Sequence, residues 1–236
     1  MTLTIIFPAF NEEERIGQTL DKYLSFYKDK FVDFIIIVNG CTDKTETVVR
    51  EYGEKFPDKI DYIVISEEIG KGGAVRRGFQ IAKGDLISFI DADASTEPPE
   101  FDRLVRKING VDGAIASRWK KGSKIVNGNL FREIISLGFI AFVKVLFWMP
   151  VIDTQCGAKV FKKKVIKAIL PQLRVNNMAF DVELLYTIRR AGFRVIEVPS
   201  KWEDNSSSSA MLGSPSKVIK NSINMFFTLL RIRLMK

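Results

Sequence analysis

The 236-residue chain contains no histidine and only two cysteines, Cys41 and Cys156. Without imidazole there is no Ser-His or Cys-His nucleophile pair, and the usual neutral-pH general base is missing. Two cysteines without Cys-X-X-Cys spacing cannot complete a zinc set, and their scarcity fits a reducing, intracellular setting. No apolar run is long and uninterrupted enough to span a bilayer, and Met1 leads directly into the strand-like run Leu3 to Phe7 rather than a signal peptide. Nor does a Gly-X-Gly-X-X-Gly follow that first run, which argues against a dinucleotide fold of the dehydrogenase type. In an enzyme of this composition, carboxylates or the substrate itself must handle protons.

Acidic residues are scarce in the second half only. Residues 1–118 carry 16 Lys+Arg against 21 Asp+Glu, and residues 119–236 carry 20 against 7, so the net +8 divides into −5 and +13. The basic half is expected to face an anionic partner such as lipid headgroups or a phosphorylated acceptor. Nucleic acid would satisfy the same charge, but no nucleic-acid fold signature accompanies it, and none is expected as partner.

What is present is an alternation of short apolar runs with helical stretches. Strands are expected at Leu3 to Phe7, Phe34 to Val38, Ile60 to Ser66, Leu86 to Ile90, residues 113–117 and Val195 to Val198, with helices near Glu13 to Tyr27, Thr42 to Phe56 and Gly73 to Ala82. Such alternation implies an α/β fold with a mostly parallel central sheet and helices on both faces. The length suffices for one main domain, expected over residues 1–204. Residues 205–236 add a Ser-rich loop, expected to be mobile, and a basic amphipathic helix. That helix either packs on the domain or attaches weakly to an anionic membrane, and Leu130 to Met149 is either a core helix or one lying among headgroups, its aromatics favouring the second.

The chemistry concentrates at strand ends. Asp91 and Asp93 end the run Leu86 to Ile90, and residues two apart on a strand share a face. Paired carboxylates at that edge suit a hard cation such as Mg²⁺ or Mn²⁺ shared with substrate phosphates. Phe7-Pro8-Ala9-Phe10-Asn11-Glu12-Glu13 ends the first strand and Val38-Asn39-Gly40-Cys41 the second, so three segments should meet in one crevice. A nucleotidyltransferase would also bind nucleotides there, but it would place a Gly-rich, Lys-containing loop after the first strand.

Together with Gly70-Lys71-Gly72-Gly73, Ser117-Arg118-Trp119, Asp153-Thr154-Gln155-Cys156-Gly157-Ala158-Lys159 and Phe180-Asp181-Val182-Glu183, these segments resemble the family 2 glycosyltransferases of the GT-A fold. Within the family the similarity is to the branch acting on dolichyl and other polyprenyl phosphates. It implies an inverting, metal-dependent hexosyltransferase, with UDP-glucose the favoured donor, peripheral on the cytoplasmic face of a membrane. Another nucleotide-sugar or a glycan hydroxyl acceptor is the alternative. By the same resemblance Pro8, Ala9, Phe10, Asn11, Glu12, Asn39, Lys71, Asp91, Ala92 and Asp93 line the nucleotide-sugar pocket, with Asp91 and Asp93 on the metal. Arg118, Arg132, Gln155 and Lys159 surround the acceptor phosphate or sugar. Asp181 stands where hydroxyl-directed relatives keep a catalytic carboxylate, and is expected to orient acceptor or sugar, whereas Glu183 is expected to be a structural helix residue. One departure is that Val38 and Asn39 replace two acidic residues, and the Asn39 amide offers a donor and an acceptor to a base edge.

Overall fold

The computed structural model describes residues 1–93, 95–128, 130–203 and 215–234, with the side chains of residues 130–132 and 215–223 left undescribed. Four parallel strands arise from the apolar runs: β1 (Leu3–Ala9), β2 (Val32–Asn39), β3 (Ile60–Ile65) and β4 (Leu86–Phe89). Between them lie α1 (Ile16–Phe26), α2 (Thr45–Lys55) and α3 (Gly70–Ile81). Each expected element of the first half is present, with ends shifted by a few residues. The second half adds α4 (Pro98–Arg106), β5 (Gly113–Ser117), β6 (Lys124–Val126), α5 (Leu130–Phe147), β7 (Lys159–Lys162), α6 (Lys163–Ile169), α7 (Phe180–Arg190), β8 (Val195–Pro199), β9 (Lys201–Glu203) and α8 (Pro215–Leu234).

The seven-stranded sheet runs β3-β2-β1-β4-β7-β5-β8, and β6 pairs with β9 in a small parallel sheet beside it. All neighbours in the large sheet are parallel except β7, which is antiparallel to both β4 and β5. From β1 the chain passes to β2 on one side, while β4 lies on the other. The carboxyl edge between β1 and β4 is therefore the switch point at which open α/β sheets bind ligands.

Central strands such as Phe34-Ile35-Ile36-Ile37-Val38 are buried throughout, because helices cover both faces. Phe7, Tyr23, Phe34 and Phe101 lie in the apolar layer on one side, and Phe79, Phe89, Phe161 and Phe180 in that on the other. The terminal helix joins the second layer: Leu229 and Ile232 are buried, the Phe142 and Phe226 rings stack at 4.9 Å, and Arg233 Nε donates to the Leu146 carbonyl at 3.0 Å. Packing thus accounts for one face of α8. The expected Ser-rich loop lies outside the described residues over positions 204–214.

Candidate active site

The loops after β1 and β2 are clipped together before any ligand is considered. Asn11, in a left-handed conformation at φ 54°, accepts the Thr42 N–H through Oδ1 at 2.8 Å. Its own N–H donates to Cys41 Sγ at 3.4 Å, and that thiol donates to the Ala9 carbonyl at 3.5 Å. Glu12 N–H donates to Thr45 Oγ1 at 2.7 Å. Cys41 is thus a fastener between two loops, a role that nothing in its local sequence signals. Ala9 is buried, while the Phe10 side chain is exposed.

The loop after β4 is fixed against the same region. Ile90 N–H donates to the Ile6 carbonyl at 2.9 Å, Thr19 Oγ1 to the Ala92 carbonyl at 2.9 Å, and Ser95 N–H to Asp93 Oδ1 at 3.0 Å. Burial, with the neighbouring Asp91 charge, raises the pKa of Asp93. Glu12 feels the same field: burial pushes its carboxyl up to about 7, and Asp93 and Asp91 add to the rise against the opposing Arg15 guanidinium. The 2.7 Å Glu12–Arg15 ion pair alone would favour ionisation, but it is partly open to water and is outweighed by the burial of the Glu12 carboxyl. Three acidic groups therefore converge where the fold places ligands.

An oxygen-seeking divalent cation fits this donor set, since its charge would offset the burial and the mutual repulsion that hold Asp93 and Glu12 high. Among the described residues no group of three or more His, Cys, Asp or Glu side chains is arranged to hold an ion unaided. Ligand oxygens must complete its shell, as is usual for Mg²⁺ beside phosphates.

Behind Asp91 the charges alternate. Lys71, in the first turn of α3, places Nζ 2.9 Å from Asp91 Oδ1 and 3.3 Å from Asp181 Oδ2. Gly70 makes that turn possible: its φ is +71°, and a Cβ there would overlap the Asn176 carbonyl. Lys159 Nζ lies 2.6 Å from Asp181 Oδ1 and donates to the Cys156 carbonyl at 2.5 Å, and the Phe89 ring lies 5.0 Å from it. Burial disfavours the charged form of Asp181, yet Lys159 and Lys71 outweigh it and hold its pKa down. Lys71 is likewise desolvated, and Asp181 and Asp91 more than compensate, so it stays protonated.

Lys159 and Asp181, expected near the acceptor or sugar, are both fully buried and ion-paired to each other. The antiparallel β7 is the cause: Lys159 pairs in register with Phe89 of β4 and Ile115 of β5, which seats its ammonium beneath the site. Asn39 is buried, and its Oδ1 accepts the Ile69 N–H at 2.8 Å, so that oxygen holds the approach to α3. Glu183 is structural as expected, its two carboxylate oxygens accepting the Arg174 and Val175 N–H groups at 2.8 and 2.9 Å.

Residues 153–157 join the acidic centre to a groove. Asp153 is buried and takes Arg118 Nε and Nη2 at 2.8 and 2.9 Å, while its own N–H donates to Glu197 Oε1 at 2.7 Å. Arg118 is therefore a fixed, half-buried guanidinium rather than a surface charge. Gly157 packs under Asp91, where any Cβ would overlap the carboxylate. Burial pushes the Cys156 thiol up to about 12, which rules it out as a nucleophile at neutral pH. Arg118 and Gln155 line a groove of about 440 Å³ together with Phe139 and Phe142 of α5 and Phe226 and Leu229 of α8. The Gln155 amide nitrogen is buried with no hydrogen-bond partner among the described residues. The Arg132 side chain lies outside the described residues.

Residues 4–170 match the sequence pattern of glycosyl transferase family 2. The chain belongs to that family. It is 32% identical over 246 aligned positions to a dolichyl-phosphate beta-glucosyltransferase of Dictyostelium discoideum, covering 98% of this chain and 73% of the relative. A protein of the same name from Drosophila melanogaster is 33% identical, with 88% and 69% covered. Among solved structures, glucosyl-3-phosphoglycerate synthase of Mycobacterium tuberculosis, in complex with Mn²⁺, UDP and phosphoglyceric acid, superposes with a TM-score of 0.71 at 19% identity, covering 100% of this chain and 79% of that one. The fold is thus that of the GT-A enzymes, and this family 2 chain is a glycosyltransferase.

Proposed function

We propose that this glycosyltransferase moves glucose from UDP-glucose to the phosphate of dolichol or another polyprenol, with inversion, at a membrane surface. The observation that carries the reading is the groove between α5 and α8. Its walls are mostly apolar and its lining includes a fixed guanidinium and an unpartnered amide, features that suit an isoprenoid chain ending in phosphate. The segment bearing Gln155 also bears Gly157, which packs on Asp91, so phosphate and donor would meet at one place.

Asp91 and Asp93 would hold Mg²⁺ or Mn²⁺, which supplies electrostatic stabilisation of the charge growing on the departing UDP. Pro8 to Glu12, Lys71 and Ala92 would line the nucleotide pocket, with Asn39 contributing through its hold on Ile69. Arg118 and Gln155 would aim a phosphate oxygen at the anomeric carbon, and in-line attack there breaks the bond to UDP and turns an α-linked donor into a β-linked product. No general base is needed, because a phosphate monoester with a second pKa of about 6 is already mostly dianionic at pH 7. The enclosure of Asp181 supports this acceptor over a glycan hydroxyl: the carboxylate is fully buried between two lysines, which hold its pKa down, and is shut away from an incoming hydroxyl.

The same two helices carry the membrane contact. Ile134, Val145, Trp148, Phe227 and Leu234 are exposed at 63–80%. No helix among the described residues is long and apolar enough to cross a membrane. We read residues 1–204 as the catalytic unit and residues 205–236 as an attachment to the cytoplasmic leaflet, where each Lys or Arg adds roughly 1 kcal/mol on anionic lipid. Transfer of radiolabelled glucose from UDP-glucose into an organic phase, dependent on added polyprenyl phosphate and Mn²⁺, tests the reading. Failure across several sugar nucleotides with the lipid present would refute it.

A further inference from the structure

Exposure falls steadily along the alternating row of charges, from 36% for the Asp91 side chain to 12% for Lys71 and zero for Asp181 and Lys159. Asp181 and Lys159 form a closed pair, whereas Lys71 is shared between an inner carboxylate and one at the rim. The Lys71 ammonium is held mainly by the charges of Asp91 and Asp181, at 2.9 and 3.3 Å, with the Phe89 ring beside it. A compact ammonium on a four-carbon stem can be moved at small cost.

A divalent cation would lie about 2.1 Å from a carboxylate oxygen. With Lys71 Nζ only 2.9 Å from Asp91 Oδ1, the two cations could not both remain on that oxygen without strong repulsion. Asp181, 3.3 Å away and itself pinned by Lys159, is the nearest anion to which the ammonium can retreat. We propose that Lys71 is a resident cation that occupies Asp91 until a divalent ion arrives, and that Asp181, fixed by Lys159, is a positioning residue that keeps the displaced ammonium beside the donor's diphosphate. This rests on the reading that Asp91 and Asp93 hold the ion. It also explains why a lysine is buried next to a site that needs a metal: the carboxylate is never left uncompensated in the empty protein.

The test is Mn²⁺ binding to the whole protein without nucleotide, followed by electron paramagnetic resonance, and UDP binding in saturating Mn²⁺, followed by calorimetry. Lys71→Met should tighten Mn²⁺ about tenfold or more, since a competing charge is removed. It should weaken UDP by about tenfold, while Lys71→Arg stays near wild type in both. A merely structural lysine would not move the two affinities in opposite directions. Asp181→Asn should weaken Mn²⁺, because Lys71 then has Asp91 as its only anion. Should that variant misfold, the two Lys71 variants still decide the matter. Mn²⁺ affinity unchanged or weakened by Lys71→Met overturns the inference while leaving the metal reading intact. No Mn²⁺ binding by wild type overturns both.

Discussion

Gly157→Ala adds one methyl group at a point where there is no room for it. The position is buried, and its Cβ would overlap the Asp91 carboxylate, which is itself tied to Lys71 at 2.9 Å. Either Asp91 swings away or the Asp153-to-Ala158 segment shifts, and that segment is held by the Asp153–Arg118 pair and by Glu197. Overpacking of this kind costs about 1–3 kcal/mol, which for a protein of this length lowers Tm by about 2–4 °C per kcal/mol. The functional loss should be larger, because a misplacement of about 1 Å at a reacting centre can cost about a hundredfold in rate. The assay pairs a thermal melt with sugar-nucleotide turnover or hydrolysis at saturating Mn²⁺. A variant that melts within 10 °C of wild type yet turns over a hundredfold more slowly is the expected result. Wild-type turnover would refute the claim that Gly157 exists to admit Asp91.

Asp153→Asn should be destabilising by about 3–5 kcal/mol, since it strips the counter-charge from a largely buried guanidinium, and urea titration would show it. For Glu12 the folded protein binds a proton more tightly than the unfolded chain, so its contribution to stability is full below about 4.5 and is lost as pH rises through about 7. Glu12→Gln should remove that downward slope from a plot of Tm against pH, and saturating Mn²⁺ should flatten it in wild type. A Gln155→Leu variant should raise the KM for polyprenyl phosphate while leaving UDP affinity unchanged, as Gln155 lines the groove. Trp148→Glu with Phe227→Glu should reduce sedimentation with anionic vesicles severalfold and leave UDP binding intact.

The parallel half of the fold was legible because its strands are short, mostly apolar runs, three of which lead into Asn or Asp, and parallel topology then brings those ends to one edge. The convergence of Asn11, Glu12, Asp91 and Asp93 followed from that rule alone. What could not be read was the partner of each polar side chain. Lys159 reads as a polar residue in a motif, and only the antiparallel insertion of β7 between β4 and β5 shows that its ammonium points inward to Asp181. Asn39 is similar, since the orientation of its amide depends on Ile69, thirty positions away. Cys41 and Gly157 were invisible as functional positions because their importance lies in what approaches them through space. The aromatic content of α5 and α8 did point to an unusual surface, and the structure divides it: Leu229 and Ile232 face the core, whereas Trp148 and Phe227 face outward.

The central claim is that Asp91 and Asp93 bind the donor's diphosphate through a divalent cation. Calorimetric titration of UDP into wild type and Asp93→Asn, each with Mn²⁺ and with EDTA, addresses it most directly. The account predicts strong binding only for wild type with Mn²⁺, and a loss of about tenfold or more on either change. Equal UDP affinity with EDTA, or an Asp93→Asn variant that keeps its Mn²⁺-dependent binding, would contradict it.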